Sequence, residues 1–533
     1  MMETPYRASL TEIVDSTLPA FPEARPAARK APAFNHPVIR TCVLLALTVA
    51  FLFPITQILC PPFGDEGTLL YGAQRVSEGA VPGRDFVEMI GPGSFYWLGL
   101  FFKLFGAGWQ VSRLYLLFTG VATTGLLYAI ARQVCHESEA VLLWLFVLVM
   151  GIPLWPVVSH HWDSNLFAIL AFWCYLKLEK TDHPGWAAAA GSLAGITTCF
   201  MQQKGFLLLL AFAASAVVRR LWPRVDSPSP IPPEMRSPPA SKRVGWSALW
   251  LLAGSYAAVG IVVVGAFWQA GALRDLLYAN LVWPLSGYND INLVTYAEGL
   301  KPTAMGPSLQ IFGPKWAAAE LVCKGLSVIP FMVIAILPLL SVMRLAEALF
   351  AHSKRLVWSP WLAVMLAGAG LWLSEIHRKD MFHLAVGSPL LLVALLGNKR
   401  SISQNGMRTA LTGALAVALV AFGSLNFTAY VGGAHPVETR RGTVMTGVDD
   451  AALRFLSTAI KEREFVFIYP YCPIYYYLAD IRNPTRYSVL LYGYNTPAQF
   501  DEVIRNLEEK RVRYVLDAAG YGDDPRRWFP AYR

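Results

Sequence analysis

The chain has 533 residues, of which 55% are hydrophobic and 15% charged, with a mean hydropathy of +0.42 and a formal net charge of +9. Such a composition excludes an ordinary soluble domain and predicts many membrane spans. The basic residues gather in short loops between apolar runs, which fits a positive-inside membrane protein and speaks against a nucleic-acid binder.

Residues 1–37 are rich in Pro and Ala, carry Arg25, Arg29 and Lys30, and read as a disordered cytoplasmic arm. The first apolar run, Val38 to Ile58, follows a polar lead too long for a cleavable signal. No small-residue cleavage site comes after it, so it is expected to stay as an anchor. The chain then reads CPPFGDEGTLLYGAQRVSEGAVPGRDFVEMIGPGSFYWLGLFFKLFG, from Cys60 to Gly106. Asp65 and Glu66 stand side by side; Asp85 and Glu88 follow, ahead of Gly91-Pro92-Gly93. Carboxylates at the mouth of a membrane segment are costly unless water, cations or a substrate meet them. The plainer reading is a solvated loop whose acids face Arg75 and Arg84. Against it, Leu69, Leu70, Ala73 and Val76 fall on one helical stripe, and Phe95-Tyr96-Trp97 open an apolar run too short to span. Amphipathic helices lying along the membrane surface, with the acids held at a fixed depth, are therefore predicted.

The order of Asp65-Glu66, a short helix, Gly79-x-x-Pro82, Asp85-Phe86, Pro92-Gly93 and an aromatic run to Leu104-Phe105-Gly106 carries a resemblance. It is similar to the first extracytoplasmic loop of polytopic GT-C glycosyltransferases that use lipid-phosphate sugars. Protein O-mannosyltransferases and bacterial lipid A aminoarabinose transferases belong to that group. The resemblance covers Pro61 to Gly106 and extends more loosely over the helices to about Leu396. It implies inverting transfer of one sugar from a polyprenyl-phosphate donor to an extracytoplasmic acceptor, with no nucleotide-sugar site. It also places the family's essential acid at Asp65, with Glu66 orienting it or sharing its role.

Further apolar segments follow at Val111–Arg132, Val141–Val158 and Leu166–Leu178. Trp186 to Val218 is too long for one span: about 33 residues of helix would measure about 50 Å against a hydrocarbon core of roughly 30 Å. Two helices with a turn at Lys204-Gly205 are predicted instead. The split also puts the Pro-rich loop Arg219–Arg243, which carries Arg219, Arg220, Arg224, Arg236, Lys242 and Arg243, on the cytoplasmic side. Gly245–Trp268 is the next span, and the long outer segment Gln269–Lys324 follows. Gly325–Val342, Trp358–Leu373, Met381–Leu396 and Thr409–Phe427 complete the set. The expected fold is an all-α polytopic membrane protein of about eleven transmembrane helices, GT-C-like, in the plasma (inner) membrane with its N-terminus inside. On this reading residues 38–428 form the transferase domain and its catalytic loop is 59–106. Residues 429–533 form a small extracytoplasmic α/β domain, with strands at Phe465–Tyr469 and Arg513–Leu516 around an amphipathic helix at Pro497–Lys510.

This topology gathers polar groups on one face: the four loop acids, then His160, His161 and Asp163, then Lys204, then His377, Arg378, Lys379, Asp380 and His383. Transfer from a lipid phosphate needs a carboxylate to take the acceptor's hydroxyl proton and cations to hold the leaving phosphate. Asp65, Glu66 and Asp163 are the catalytic candidates. Asp85, Glu88, Lys204, Arg378, Lys379 and His383 are the substrate-binding ones. Each also has a structural reading: Asp163 as a helix cap, Lys204 snorkelling to the interface, Arg378-Lys379 on lipid headgroups. Seven scattered cysteines show no C-x-x-C or Cys/His spacing, so neither a metal, a cofactor nor a disulfide framework is expected. The partners expected are a polyprenyl-phosphate sugar, an extracytoplasmic acceptor and the bilayer, with no nucleic acid. A transporter or lipid flippase is the competing class. It would place ionisable residues near mid-membrane rather than at span ends on one face.

Overall fold

A computed structural model describes residues 37–60, 64–221, 244–286, 293–299, 313–350, 360–375, 377–397, 405–491 and 494–518. The N-terminal arm and nearly all of the basic loop after Leu221 lie outside these residues. Contacts group Leu47–Arg533 into one unit; of the other, Met1–Ala46, the described part is the start of the first helix.

The chain is mostly helical. In order come α1 (Pro37–Thr56), α2 (Gly64–Ser77), α3 (Pro92–Phe105), α4 (Trp109–Val134), α5 (Glu137–Met150), α6 (His160–Thr181), α7 (Pro184–Phe200), α8 (Gln202–Leu221) and α9 (Trp246–Gln269). Helices then cover Ala317–Phe350, Pro360–Leu373, Met381–Gly387, Pro389–Gly397 and Asn405–Val431. Every apolar segment predicted to span therefore carries helix, the one after Asp380 being interrupted before Pro389, whose ring cannot continue a helical ladder. Six described segments are long and apolar enough to cross a membrane: Val38–Thr56, Trp109–Val134, Glu137–Leu154, Trp246–Gln269, Pro314–Glu347 and Thr409–Val431. α9 leaves Trp250, Ile261, Val262 and Trp268 exposed, an apolar surface suited to lipid.

The predicted split of the long run is present, with its break at Met201 rather than at Lys204-Gly205. Met201 has extended backbone (φ −149°, ψ 106°) between α7 and α8. The chain turns back there closely enough that a Cβ on Gly205 would lie 2.4 Å from the Ala194 carbonyl oxygen. α6 and α8 are joined at their far ends by Arg219 and Glu179, both buried and 3.1 Å apart.

Beyond the helices, β1 (His435–Thr439) and β2 (Gly442–Thr446) form an antiparallel hairpin. β3 (Val466–Tyr469) and β4 (Tyr514–Asp517) pair in parallel, with a helix at Pro497–Glu509 between them in sequence. Strand, helix and strand lie within a residue of their predicted positions.

These C-terminal elements pack on the first loop. Leu59 N donates to Met445 O (2.8 Å), Trp109 N to Arg441 O (2.7 Å) and Val87 N to Arg486 O (2.8 Å). Tyr71 of α2 stacks on Tyr476 at 5.0 Å, and its hydroxyl accepts from Asn483 N at 3.0 Å. α2 is accordingly buried from Glu66 to Gln74. A surface-lying amphipathic helix was expected there. The difference arises because residues from a chain segment about 400 positions away cover the face that would have met water.

Candidate active site

The four acids of the first loop have four different settings. Glu66 is buried and its Oε1 is ion-paired with the equally buried Arg113 of α4. The same oxygen accepts from Val158 N at 2.8 Å. The Arg113 guanidinium also lies 3.8 Å from the Trp109 ring centroid. Glu66 thus fastens the start of α2 to α4 and to the approach of α6. Asp65, one residue earlier, points the other way. It is exposed, and its Oδ1 accepts from the Tyr471 hydroxyl at 2.8 Å.

Asp85 is bound by its neighbour Arg84 (2.8 and 3.0 Å) and by Val81 N (2.7 Å), and the hydrogen bond from Arg84 holds its carboxyl below the usual range. Glu88 is half-buried and hydrogen-bonded with Ser488. Burial raises it to about 8, and the nearby Asp65 charge pushes the same way. The shift biases Glu88 toward its neutral form, which can donate a hydrogen bond.

Raised in the fold, this carboxyl gives a stability contribution that is fully present below the unfolded value near 4.5 and lost as pH rises through about 8. The Glu88→Gln protein is expected to lose that dependence. Its melting temperature should change less than the wild type's between pH 6 and pH 9; parallel curves would remove the assignment.

The glycines beside Asp65-Glu66 have a defined use. A Cβ on Gly64 would fall 2.0 Å from the Tyr471 ring, and one on Gly67 would fall 2.2 Å from Ile474 N. They admit the C-terminal segment to van der Waals contact with the start of α2.

Asp163 sits in the first turn of α6 but is not its cap. Ser159 takes that position, accepting from His161 N at 3.3 Å. Asp163 is buried, accepts from Ser94 Oγ of α3 at 2.7 Å, and accepts from the Tyr115 hydroxyl of α4. It joins three helices behind the loop. Since Val158 holds Glu66 and Asp163 holds Ser94, the start of α6 is tied to the first loop from both sides.

A second polar group lies at that same end of α6. Lys204, fully buried in the first turn of α8, has its ammonium 2.9 Å from Glu375 Oε1, 2.9 Å from Asn165 Oδ1 and 3.1 Å from Ser164 Oγ. Ser164 and Asn165 accept hydrogen bonds from it, and Glu375 supplies the opposing charge. Burial pushes the Glu375 carboxyl up, but Lys204 and His161 outweigh it and hold the group below the usual range. His161 Nδ1 is 3.5 Å from Glu375 Oε2, and the His161 and His383 rings are 4.7 Å apart and perpendicular. Asp380 caps the helix that starts at Met381 and bonds His383 Nδ1 at 2.7 Å, with Arg378 Nε at 3.2 Å on its other oxygen.

The Arg378 side chain is about a third exposed, and Lys379 is half-buried. Arg378 and Lys379 are thus the accessible cations, and Lys204 the enclosed one. Among the described residues, His161, Glu375 and His383 bring ligand atoms within 4.8 Å of one another and could hold a metal ion. Lys204 already balances the Glu375 charge in that group.

The sequence reading left out Arg113, Glu375, Tyr115 and Tyr471. Arg113 carried a signal, as a charge just inside a long apolar run, and Glu375 stands two residues before the polar run that starts at His377. Tyr115 and Tyr471 carried none.

Residues 90–230 match the model of the dolichyl-phosphate-mannose-protein mannosyltransferase family. That is less than half of the chain, and it begins after Asp65 while including Asp163 and Lys204. The Archaeoglobus fulgidus oligosaccharyltransferase, solved in complex with Zn and sulfate, is 12% identical, with a TM-score of 0.50 over 91% of this chain and 70% of that one. The chain resembles the GT-C glycosyltransferases in sequence and in fold. A second structure of that archaeal enzyme, tethered to an acceptor peptide, is 11% identical, with a TM-score of 0.49 over 90% of this chain and 69% of that one. No match was found among curated proteins. The match over residues 90–230 points to a glycosyltransferase with a lipid-linked donor, and the six long apolar segments fit a multi-pass membrane protein.

Proposed function

We propose that this protein transfers one sugar, with inversion, from a polyprenyl-phosphate donor to an extracytoplasmic glycolipid, polysaccharide or protein. Asp65 acts as the base, taking the proton of the acceptor hydroxyl as that oxygen attacks the anomeric carbon and the lipid phosphate leaves. The observation that carries this reading is the division of labour at the start of α2. Glu66 is consumed by Arg113 inside the protein, while Asp65 is presented at the surface. Arg378 and Lys379 hold the donor phosphate, and His383, fixed by Asp380, lies beside them. Lys204, Glu375 and Asp163 act behind these groups as buried positioning residues. Glu88 donates to the substrate as a neutral acid, and Asp85 shapes the loop.

The proposed topology has eleven spans, a cytoplasmic N-terminus and an outer C-terminal region in the plasma membrane. The parity of crossings supports an odd total. Ile58, after α1, bridges Met445, beyond the helix Asn405–Val431, so these two chain positions lie on one side of the membrane. An even number of crossings must separate them. The six clearly apolar spans leave five after the first, so at least one shorter or more polar helix must also cross. α6, at 22 residues, spans about 33 Å and is long enough.

Binding of a long-chain polyprenyl phosphate, measured by native mass spectrometry, tests the donor assignment. Replacing Arg378 or Lys379 by Ala is expected to weaken binding about tenfold, the loss of one charge-assisted contact. Unchanged affinity in both variants would move the phosphate site elsewhere.

A further inference from the structure

We propose that Tyr471, from the C-terminal region, is a positioning residue of the catalytic centre, holding the Asp65 carboxylate through its phenolic hydroxyl. The proposal rests on the reading of Asp65 as base and extends it to a part of the chain far away in sequence. Three observations carry it. The hydroxyl of Tyr471 donates to Asp65 Oδ1 at 2.8 Å, while Asp65 itself is exposed. Gly64 leaves the space that the Tyr471 ring fills, and Gly67 admits the backbone of Ile474, so residues on both sides of the Asp-Glu pair accommodate this one approach. The segment that bears Tyr471 is itself fixed. Tyr471 bridges Val489, Val87 bridges Tyr487, and Tyr475 donates to Asp450 at 2.8 Å.

A carboxylate on an exposed first turn has free rotation about its side-chain bonds. One oxygen held by a fixed phenol leaves the other aimed in a single direction, and this orientation lowers the entropy lost on reaching the transition state. The phenol gives up no proton here: it stays a donor, and burial together with the Asp65 charge raises it well above its ordinary value. The C-terminal region is on this account part of the catalytic centre.

The test compares the wild type with Tyr471→Phe, which keeps the ring that fills the space at Gly64. Full-length protein in lipid nanodiscs is treated with a carbodiimide and an amine, and modified carboxyls are located by peptide mass spectrometry. The variant is expected to label Asp65 several-fold faster, because its carboxyl has lost its partner. Labelling of Asp450, buried in the same region, should stay at the wild-type level and report that the segment is still docked. Equal labelling of Asp65 in both proteins would overturn the contact. Faster labelling of both acids would overturn it too, since Tyr471 would then hold the segment and not the carboxylate. With a polyprenyl-phosphate sugar that supports turnover, kcat should fall about tenfold with donor KM unchanged. A raised KM at constant kcat would contradict a positioning role. Absence of turnover by the wild type on every donor would count against the proposed function, while the labelling result would still decide the Tyr471 contact.

Discussion

Asp65→Asn is expected to reduce turnover by roughly 10²-fold or more while leaving membrane insertion and folding unchanged. The substitution preserves shape and keeps one oxygen that can accept from Tyr471, so only the proton acceptor is removed. Asp65 is exposed and makes no ion pair among the described residues, which is why its loss should spare stability. kcat and melting temperature measured on the same purified protein separate the two effects. Near-normal kcat would remove Asp65 as the base. A collapse in stability would show that the side chain has a structural task absent from this arrangement.

The neighbouring acid should behave in the opposite way. Glu66→Ala leaves the Arg113 guanidinium buried with no opposing carboxylate and Val158 N without its acceptor. Breaking one side of a buried pair costs about 3–5 kcal/mol, enough to remove most folded protein from the membrane. The companion test is the double substitution Glu66→Met with Arg113→Met. It replaces the pair by apolar groups of similar volume and is expected to recover much of the lost stability. Folded yield by size-exclusion chromatography in detergent reads both outcomes. If Glu66→Ala folds as well as the wild type and loses only turnover, Glu66 is a chemical partner of Asp65 and not the anchor described here.

These contrasting expectations mark where sequence reading ends. Helices and their approximate limits were legible because apolar runs of the right length dominate the chain, and even the division of Trp186–Val218 followed from length and loop charge. The strand–helix–strand pattern near the C-terminus was legible from local periodicity. Partner choice was not. Asp65 and Glu66 are adjacent and chemically alike, and nothing local says that one turns inward to Arg113 and the other outward to Tyr471. Lys204 looked equally suited to an interface or to a phosphate. Its enclosure by Ser164, Asn165 and Glu375 depends on three helix ends meeting, which is long-range information. Gly64 and Gly67 leave room for a close approach, and only the structure identifies the C-terminal segment as what approaches.

Sugar transfer from a lipid phosphate is tested most directly by incubating the purified full-length protein in nanodiscs with a panel of polyprenyl-phosphate sugars and an extract of cell-envelope glycolipids and glycoproteins. Mass spectrometry then follows both acceptor and lipid. The account predicts an acceptor heavier by a single sugar residue, equimolar release of polyprenyl phosphate, and an anomeric configuration opposite to the donor's, all abolished in Asp65→Asn. Correctly folded wild-type protein that transfers no sugar from any of these donors, or a transferred sugar that retains the donor's configuration, would contradict it.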